Sequence, residues 1–397
     1  MQTLEFAPER DRELLAEIPP TAGVFALHGP ESAEPYVSRT TNLRRRLMRL
    51  LGVAGEGPLQ PRRLNLRERV ARIEYWLVGS EFEAQMVLYR LLRQHFSDRY
   101  RDRLRLRPAP LVKFDLANAY PRAYVTTRLG RLNESSLYYG PFASRIAAEK
   151  FLNDSLDLFL IRRCPDDLNP DPAFPGCIYS EMKMCLAPCF RGCSDQQYAD
   201  EVRRVQRYLD SGGESLHREL EAERDQASAN LEFEAAAAVH ARLSKANEAA
   251  GQRPDLARRL DQLNGLMVQP STRPGTVKFF RIEQGAIGEP FDFAVAVNPA
   301  ELLGSRRHPV SMEARIAEAL EHAPPQPKPS AAELSDHLAL LKRWFFRTHK
   351  TGELFLAESR GEAQPELPMR RIVRGVSRVY AGEKLAPPAE PGKFLAP

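Results

Sequence analysis

The sequence predicts a multidomain α+β protein, and three observations support this fold class. Strand-like and helix-like segments alternate from Gly23 onward in the order β-β-α-(α)-β-α, which is typical of a small mixed domain. Four of the five cysteines then lie within a span of 26 residues, in a segment rich in turn residues. A predicted helical hairpin follows them, and with 397 residues the chain is long enough for several domains.

Residues 21–105 are predicted to form a small sheet covered by helices, preceded by an N-terminal arm over residues 1–20. The predicted elements are two strands joined by a turn that contains Gly and Pro, a helix, a third strand and a second helix, at 23–27, 35–37, 43–51, 72–78 and 81–94. Asn42 and Ser80 precede the two helices and are suited to cap them, because their side-chain oxygens can accept hydrogen bonds from free backbone N–H groups.

Positive charge is concentrated in the first third of the chain. The formal net charge is only +5, but residues 36–131 contain 21 Lys and Arg against 8 Asp and Glu, and nearly all of these cations are arginines. Guanidinium groups bind phosphate in a bidentate manner and stack on bases. The block therefore favours contact with nucleic acid, and double-stranded DNA is the expected partner. The alternative is a set of solvated helix faces.

The cysteines of a connector over residues 106–200 indicate a metal site. They are spaced C-x12-C-x7-C-x3-C, at Cys164, Cys177, Cys185 and Cys189. Clustering in a chain without a secretory segment favours thiolate ligation over disulfides. Four thiolates suit zinc or an iron–sulfur cluster, and the presence of a single tight pair leans toward iron–sulfur, with zinc as the alternative. Cys193 is expected to be a spare.

The remainder of the chain divides into three predicted parts. Residues 201–252 form a helical hairpin, preceded by a long helix that is predicted to break at residues 211–213. The alanine run of the hairpin, 235–238, would let its two helices approach closely. Residues 255–385 form a small α+β domain of unknown role, and residues 386–397 form a disordered tail. No run of about 18 apolar residues occurs and the N-terminus does not resemble a signal peptide, so we expect a cytoplasmic protein with no membrane partner.

Five motifs, in order along residues 20–250, resemble those of UvrC, the incision subunit of bacterial nucleotide-excision repair, and of its shorter Cho-type relatives. They are the two halves of a GIY-YIG nuclease motif, an N-L-R-x-R-L run, a Y-F-G-P-Y stretch, a C-L-A-P-C loop and a UVR motif. The corresponding segments are 23–25 with 36–38, 42–47, 139–142, 185–189 and 230–236.

The resemblance implies functions for particular residues. In a GIY-YIG site Tyr36 would act as the base and Arg46 would bind the scissile phosphate. The other DNA-binding residues would be Arg39, Arg44, Arg45 and Arg49. The UVR hairpin would dock on a UvrB-like protein through Leu231 and Phe233, and the cysteine loop would hold a 4Fe–4S cluster.

Departures from the family pattern affect the nuclease site. Phe25 stands where the first motif has a tyrosine, Ser38 replaces a glycine, and Leu88 occupies the position that aligns with the metal-binding glutamate. Glu81 shares that helix face but lies two turns, roughly 10 Å, away, and Glu83 points elsewhere. Because Mg²⁺ binding depends on one or two carboxylates, we predict that Mg²⁺ binding is doubtful and that the nuclease is impaired.

Three functions remain open at this point. The first is a repair accessory that binds DNA and a UvrB-like partner without cutting. The second is an active Cho-like endonuclease that incises 3′ to a lesion, and the third is a redox-sensing nucleic-acid-binding module outside repair. The RNase H-like second nuclease of the family is predicted to be absent, because Asp292 is the only acid within the strands expected after Gly265.

Overall fold

A computed structural model shows three small antiparallel sheets, each with packed helices, and a helical hairpin. It describes residues 1–30, 34–52, 64–130, 132–296, 310–358 and 365–382. The predicted mixed α+β class is confirmed at this level.

The N-terminal domain contains a four-stranded sheet in the order β1-β4-β2-β3. Its elements are β1 Gln2–Glu5, α1 Asp11–Glu17, β2 Gly23–His28, β3 Tyr36–Thr40, α2 Leu43–Leu51, β4 Arg72–Leu77, α3 Glu81–His95 and α4 Tyr100–Leu104. Residues 1–20 are part of this domain and not an arm, because β1 pairs along β4 and because Leu15 and Ile18 are buried in the domain core. Burial of these apolar side chains stabilises the attachment.

Both predicted helix starts are confirmed by side-chain caps. The side chain of Asn42 accepts a hydrogen bond from the N–H of Arg45 at 2.9 Å. The Ser80 hydroxyl accepts one from the N–H of Glu83 at 3.1 Å. Helix α2 then buries its four leucines, so the sequence pattern gives it one apolar face and one basic face.

The middle domain is a four-stranded sheet in the order β6-β5-β7-β8, with a helix packed against it. Its elements are β5 Leu111–Asp115, β6 Arg122–Thr126, β7 Ser136–Gly140, α5 Arg145–Leu156 and α6 Ile178–Glu181, and its fourth strand is β8 Arg258–Arg259, which comes from later in the chain. The loop that carries the cysteines follows α5, and the N–H of Leu186 donates to the carbonyl of Leu160 at 2.9 Å, which ties the end of the loop to its start.

Three helices follow the cysteine loop, namely α7 Asp195–Ser211, α8 Glu214–Ala229 and α9 Phe233–Gly251. The break between α7 and α8 lies at Gly212 and Gly213, as predicted. Their φ angles of 68° and 101° fall in the left-handed region, which glycine adopts at little cost. In the described ranges no helix is long and apolar enough to cross a bilayer.

The contact between α8 and α9 is made by branched residues and not by the alanine run. Residues 235–238 are mostly exposed, so the prediction that they line the helix contact is wrong. The buried stripe of α9 instead consists of Val239, Leu243 and Ala246, at the spacing of one helix face. These residues belong to the same core as Leu220 of α8.

The C-terminal domain contains a sheet in the order β11-β10-β9-β13, and β12 pairs with β10. Its elements are β9 Gly265–Pro270, β10 Thr276–Glu283, β11 Ala286–Ile287, β12 Phe291–Ala294, α10 Met312–Glu321, α11 Ala331–Phe345, β13 Glu353–Leu356 and α12 Met369–Ala381. The sequence pattern does not predict β13 and α12. The predicted tail, 386–397, lies outside the described residues.

The N-terminal and C-terminal domains share one hydrophobic core, centred on α3 and α11. The ring of Phe82 has its centroid 5.1 Å from that of Phe280 and 6.1 Å from that of Trp344. Lys278 Nζ lies 2.5 Å from Glu83 Oε1, and both side chains are largely buried. This joint fixes the two domains relative to each other and places the segment after α11 next to α2.

Candidate functional site

Tyr36 and Arg46 are brought together, as the sequence predicts. Tyr36 begins β3, Arg46 lies on the second turn of α2, and its Nη2 donates to the Tyr36 hydroxyl at 3.5 Å. Both side chains are half-buried. The pair presents a phenol and a guanidinium from neighbouring elements, a combination that can bind a phosphate oxygen.

Phe25 is a core residue beneath this pair. Its side chain is fully buried, and its ring centroid lies 6.2 Å from that of Tyr36. It packs in the same cluster as Leu43 and Leu47 of α2. Ser38, the other departure from the motif, faces Phe25 across the β2–β3 register. The first motif position therefore supports the sheet and offers no hydroxyl to a substrate.

Leu88 is half-buried on α3 and takes part in apolar packing. It packs beside Val37 of β3 against a cluster that includes Val24 and Ala84. A leucine in these surroundings supplies no oxygen for a metal ion. The predicted metal position is thus occupied by a packing residue.

The two nearby glutamates on α3 are already engaged. Glu81 Oε1 accepts a hydrogen bond from Arg39 Nη1 at 2.9 Å, and its other oxygen pairs with Arg347. Burial would raise the pKa of Glu81, but hydrogen bonds from Arg347 and Arg39 hold it below its ordinary value. Glu83 pairs with Lys278 and also accepts from the N–H of Gly79 at 2.8 Å. Neither carboxylate is free to serve as a ligand.

A cleft of about 830 Å³ lies between the N-terminal and C-terminal domains beside Tyr36 and Arg46. Its charged or titratable lining residues are Arg39, Arg46, Arg49, Glu81, Arg347, His349 and Lys350. Cations outnumber the single acid in this lining, as far as the structure describes it. The cleft is therefore a site of positive potential, suited to an anion.

The four arginines predicted to bind DNA have different environments. Arg39 and Arg49 line the cleft. Arg44 instead donates from Nε to the carbonyl of Ile18 at 2.7 Å, which anchors α2 to the segment after α1. Arg45 is exposed and does not line the cleft.

Sequence reasoning missed the C-terminal contribution to this cleft. Arg347, His349 and Lys350 follow directly after α11, whose last turn contains Trp344. The sequence shows a basic segment after an aromatic end of a helix, but only the shared core reveals which domain it faces. Lys350 Nζ donates to the carbonyl of Phe345 at 2.8 Å, which holds it near the helix end.

Two of the predicted cysteine ligands accept hydrogen bonds within the loop. The N–H of Ala187 donates to Cys185 Sγ at 3.3 Å, and Arg162 Nη1 donates to Cys164 Sγ at 3.7 Å. Arg162 is almost fully buried, and its Nε donates to the carbonyl of Tyr120 at 2.8 Å. Donors aimed at sulfur stabilise thiolates and are typical of the surroundings of metal-bound cysteine.

The four predicted ligands are neighbours, but they are not arranged as a ligand set. Burial first, and then the charges of Cys164, Cys189 and Cys177, raise the pKa of Cys185 to about 11, although the hydrogen bond from Ala187 lowers it. Such mutual effects require short separations. Among the described residues, however, no three Cys, His, Asp or Glu side chains form a group that could hold a metal ion. Ligation of a metal ion or cluster by these cysteines stays a prediction. Cys193 packs against the core of the middle domain.

Leu231 and Phe233 lie at the tip of the α8–α9 hairpin. Their exposed fractions are 72% and 68%, which are large values for such side chains. The turn is closed by the N–H of Glu232, which donates to the carbonyl of Ala227 at 2.9 Å. The turn therefore presents two apolar side chains to the outside, the arrangement expected of a docking element.

Comparison with known proteins assigns part of this structure to a family. Residues 110–208 match the family described as UvrC/Cho excinuclease, middle domain. The chain is 31% identical to the UvrABC system protein C of Moorella thermoacetica over 238 residues, 59% of this chain and 37% of that protein. The proteins of the same name from Acidobacterium capsulatum and Pseudomonas aeruginosa are 31% and 29% identical, over 57% and 54% of this chain and 34% of each relative.

This chain thus spans little more than a third of the length of these relatives. No solved structure matches it. The matched region contains three of the four strands of the middle sheet (β5, β6 and β7), the whole cysteine loop and most of α7. It is also the region in which the loop contacts described above occur. Over residues 110–208 the chain is therefore similar to the middle domain of the UvrC/Cho excinuclease family, and more than half of its length is similar in sequence to UvrABC system proteins C.

Proposed function

We propose that this protein is a UvrC-related nucleotide-excision-repair factor that binds duplex DNA and a UvrB-like partner, and that its N-terminal site is impaired as a nuclease. The observation that supports the proposal is that the carboxylate lining the cleft is already paired with arginines. Glu81 is the only acid lining the described part of the cleft, and it is paired with both Arg39 and Arg347.

The chemistry of phosphodiester hydrolysis explains why this matters. A GIY-YIG-type site needs a base near the attacking water, a cation on the scissile phosphate and a divalent ion that stabilises the leaving oxygen. Tyr36 and Arg46 could supply the first two functions. The third needs a carboxylate, and Leu88 cannot provide one. The remaining groups can bind a phosphate and lack the means to stabilise a leaving alkoxide.

An iron–sulfur cluster in the middle domain forms the second part of the proposal. Its ligands would be Cys164, Cys177, Cys185 and Cys189, with zinc as the alternative ion. The donors from Ala187 and Arg162 to two of the sulfurs support thiolate character at these positions. A bound cluster would cross-link a loop that otherwise has few buried residues, and it would supply a one-electron redox centre.

Docking on a UvrB-like protein through the hairpin is the third part. Leu231 and Phe233 are the exposed apolar pair, and α8 and α9 support them with a buried seam of their own. Burying two large side chains in a partner would stabilise a complex without unfolding the hairpin. A nucleic-acid-binding module outside repair would have no use for this surface, which disfavours a purely redox-sensing role.

An active Cho-like endonuclease is the second candidate, because the Tyr36–Arg46 pair is intact. The two candidates differ in one assay. Anaerobically purified protein is mixed with UvrA, UvrB, ATP and a lesion-containing duplex, in Mg²⁺ or Mn²⁺. We expect retained binding to the UvrB–DNA complex and no cut. A cut 3′ to the lesion that Tyr36→Phe abolishes would establish the endonuclease and overturn the proposal of an impaired site.

A further inference from the structure

The C-terminal domain forms one wall of the basic cleft, although the comparisons assign it to no family. Its wall consists of Arg347, His349 and Lys350, and the wall opposite consists of Arg39, Arg46 and Arg49. We propose that the two walls form a composite site for the phosphodiester backbone of a nucleic-acid strand, in which Arg347 and Lys350 contact phosphate. This inference rests on the proposed function and adds a second domain to its DNA-binding surface.

The first argument is the bridge across the domain boundary. Glu81 is bound at the same time by Arg39 of the N-terminal domain and by Arg347 of the C-terminal domain. Two guanidiniums that reach one carboxylate are also close enough to reach one phosphate. A phosphodiester has the same charge and also presents two anionic oxygens, and a strand brings several such groups, so it can compete for both side chains.

The second argument is the crowding of cations around the bridge. Arg343 lies one turn before Arg347 and donates to the carbonyls of Leu104 and Arg105. Burial lowers the pKa of Arg343, and the charges of Arg347 and Arg39 lower it further. Like charges that are held together by packing repel each other, and one carboxylate does not neutralise them. A bound polyanion would relieve this repulsion.

The third argument is that the walls are held in place without a ligand. The core around Phe82 and the buried Lys278–Glu83 pair join the two domains, and Lys350 is fixed by its bond to Phe345. Preorganised groups bind at a lower entropic cost than mobile ones. The volume of about 830 Å³ is within the range of clefts that take ligands much larger than a single phosphate ion.

The test is the salt dependence of DNA binding. Affinity of the full chain for a fluorescein-labelled duplex is measured by anisotropy over a series of KCl concentrations. Each phosphate contact contributes about 0.9 to the slope of log K against log salt. We expect Arg347→Gln/Lys350→Gln and Arg46→Gln/Arg49→Gln each to reduce the slope by about 1 to 2. Arg374→Gln, an exposed residue of α12 outside the cleft, should leave the slope unchanged.

The outcomes separate this inference from the proposed function. If only Arg46→Gln/Arg49→Gln reduces the slope, the C-terminal wall does not bind the strand and the composite site is overturned, while DNA binding stands. If neither pair reduces it while the native protein still binds the duplex, the composite site and the assignment of Arg46 and Arg49 to DNA binding both fail; if the native protein does not bind the duplex at all, the proposed DNA binding fails. A third outcome is that inorganic phosphate raises the Tm of the native protein but not that of Arg347→Gln/Lys350→Gln, while the two proteins have the same slope for the duplex. The ligand of the cleft would then be a free phosphate, and the inference would be overturned.

A footprint on the native protein covers the case in which the double variant does not fold. Acetylation of lysines is measured by mass spectrometry with and without the duplex. Bound DNA should protect Lys350 several-fold, while Lys245, which is exposed on α9 away from the cleft, should be acetylated at the same rate in both. Equal acetylation of Lys350 in both states would overturn the composite site.

Discussion

The N-terminal site and the cysteine loop depart from the family pattern to different degrees. At the N-terminal site, Phe25 and Leu88 occupy two positions where the family pattern has polar residues. Both side chains pack against apolar neighbours. In the loop all four predicted ligands are present, and two of them accept hydrogen bonds at sulfur.

Packing explains the first case but not the second. Phe25 and Leu88 stabilise the sheet domain because they bury apolar surface. A hydroxyl or a carboxylate at the same positions would be a polar group in apolar surroundings, which costs free energy. The loop around the cysteines contains few buried residues, so its thiols gain little from packing. At the site, two positions that the pattern gives to polar groups are thus used for apolar packing, whereas the loop keeps cysteines that have little packing role and a side chain suited to ligation.

The largest effect is expected from a substitution in the cysteine loop. Cys185→Ser removes one of four proposed thiolates, and because metal binding is coupled to folding of such loops, most of the cluster should be lost. Anaerobically purified native protein should be brown and Cys185→Ser colourless, as measured by visible absorbance and iron content. The matched control is Cys193→Ser, which should keep its colour because Cys193 packs against the middle core. A colourless native protein with stoichiometric zinc would contradict the iron–sulfur assignment.

The next largest effect concerns the hairpin tip. Leu231→Ala and Phe233→Ala should each weaken binding to a UvrB-like partner by about tenfold or more, the usual cost of truncating an apolar anchor. Both residues are exposed, so the free energy of unfolding should change by less than about 0.5 kcal/mol. Titration calorimetry and urea unfolding measure the two quantities. Ile146→Ala is the control, because Ile146 is 78% exposed on α5 and outside the hairpin. Equal weakening by Ile146→Ala would refute a specific docking site.

A third effect, at the joint between the domains, depends on pH. His337 of α11 accepts a hydrogen bond at Nδ1 from the N–H of Ile287 at 3.1 Å, and burial lowers its pKa to about 4. The ordinary pKa is 6.5, so between these values the unfolded chain binds a proton that the folded chain does not. Stability should therefore fall as the pH falls from about 6.5 to 4, by at most about 3 kcal/mol.

Urea unfolding of the native protein and of His337→Gln at several pH values measures this contribution. The variant keeps a hydrogen-bond acceptor but cannot be protonated in this range. Its stability should change less with pH than that of the native protein. Identical pH profiles would show that His337 does not couple protonation to the joint.

The sequence predicts local structure well wherever a short pattern determines it. The caps Asn42 and Ser80, the glycine break and the alternation of the early strands depend on neighbouring residues, and each is found where predicted. The pairing of Tyr36 with Arg46 can also be predicted from the sequence, because a hairpin followed directly by a helix brings the two residues together. These features need no information about distant parts of the chain.

Long-range packing is what the sequence pattern does not show. Strand β1 was missed because only its pairing with β4 distinguishes residues 2–5 from an arm. The alanine run suggested a close helix contact, but the larger side chains of α9 fill the seam. The cleft depends on the contact of α3 with α11, about 250 residues apart, so neither Arg347 nor its pairing with Glu81 could be derived from spacing.

The smallest expected effect tests the site half of the comparison most directly. Leu88→Glu places a carboxylate at the predicted metal position. In its half-buried, apolar surroundings the charge lacks a partner, so the variant should be destabilised by about 1 to 3 kcal/mol. If the cleft retains the geometry of a metal site, Mn²⁺ at about ten times its Kd should restore roughly 1.4 kcal/mol, because it binds only the folded state.

Leu88→Gln is the matched control, since it has a similar size and polarity but no charge to hold the ion. Urea unfolding with and without Mn²⁺ should show metal-dependent stabilisation of the glutamate variant alone. Stabilisation of neither variant would mean that Leu88 is not at the metal position. Equal stabilisation of the native protein would mean that another carboxylate already binds the ion. The pairing of Glu81 with its two arginines would then not prevent metal binding. The proposal of an impaired nuclease would fail in that case.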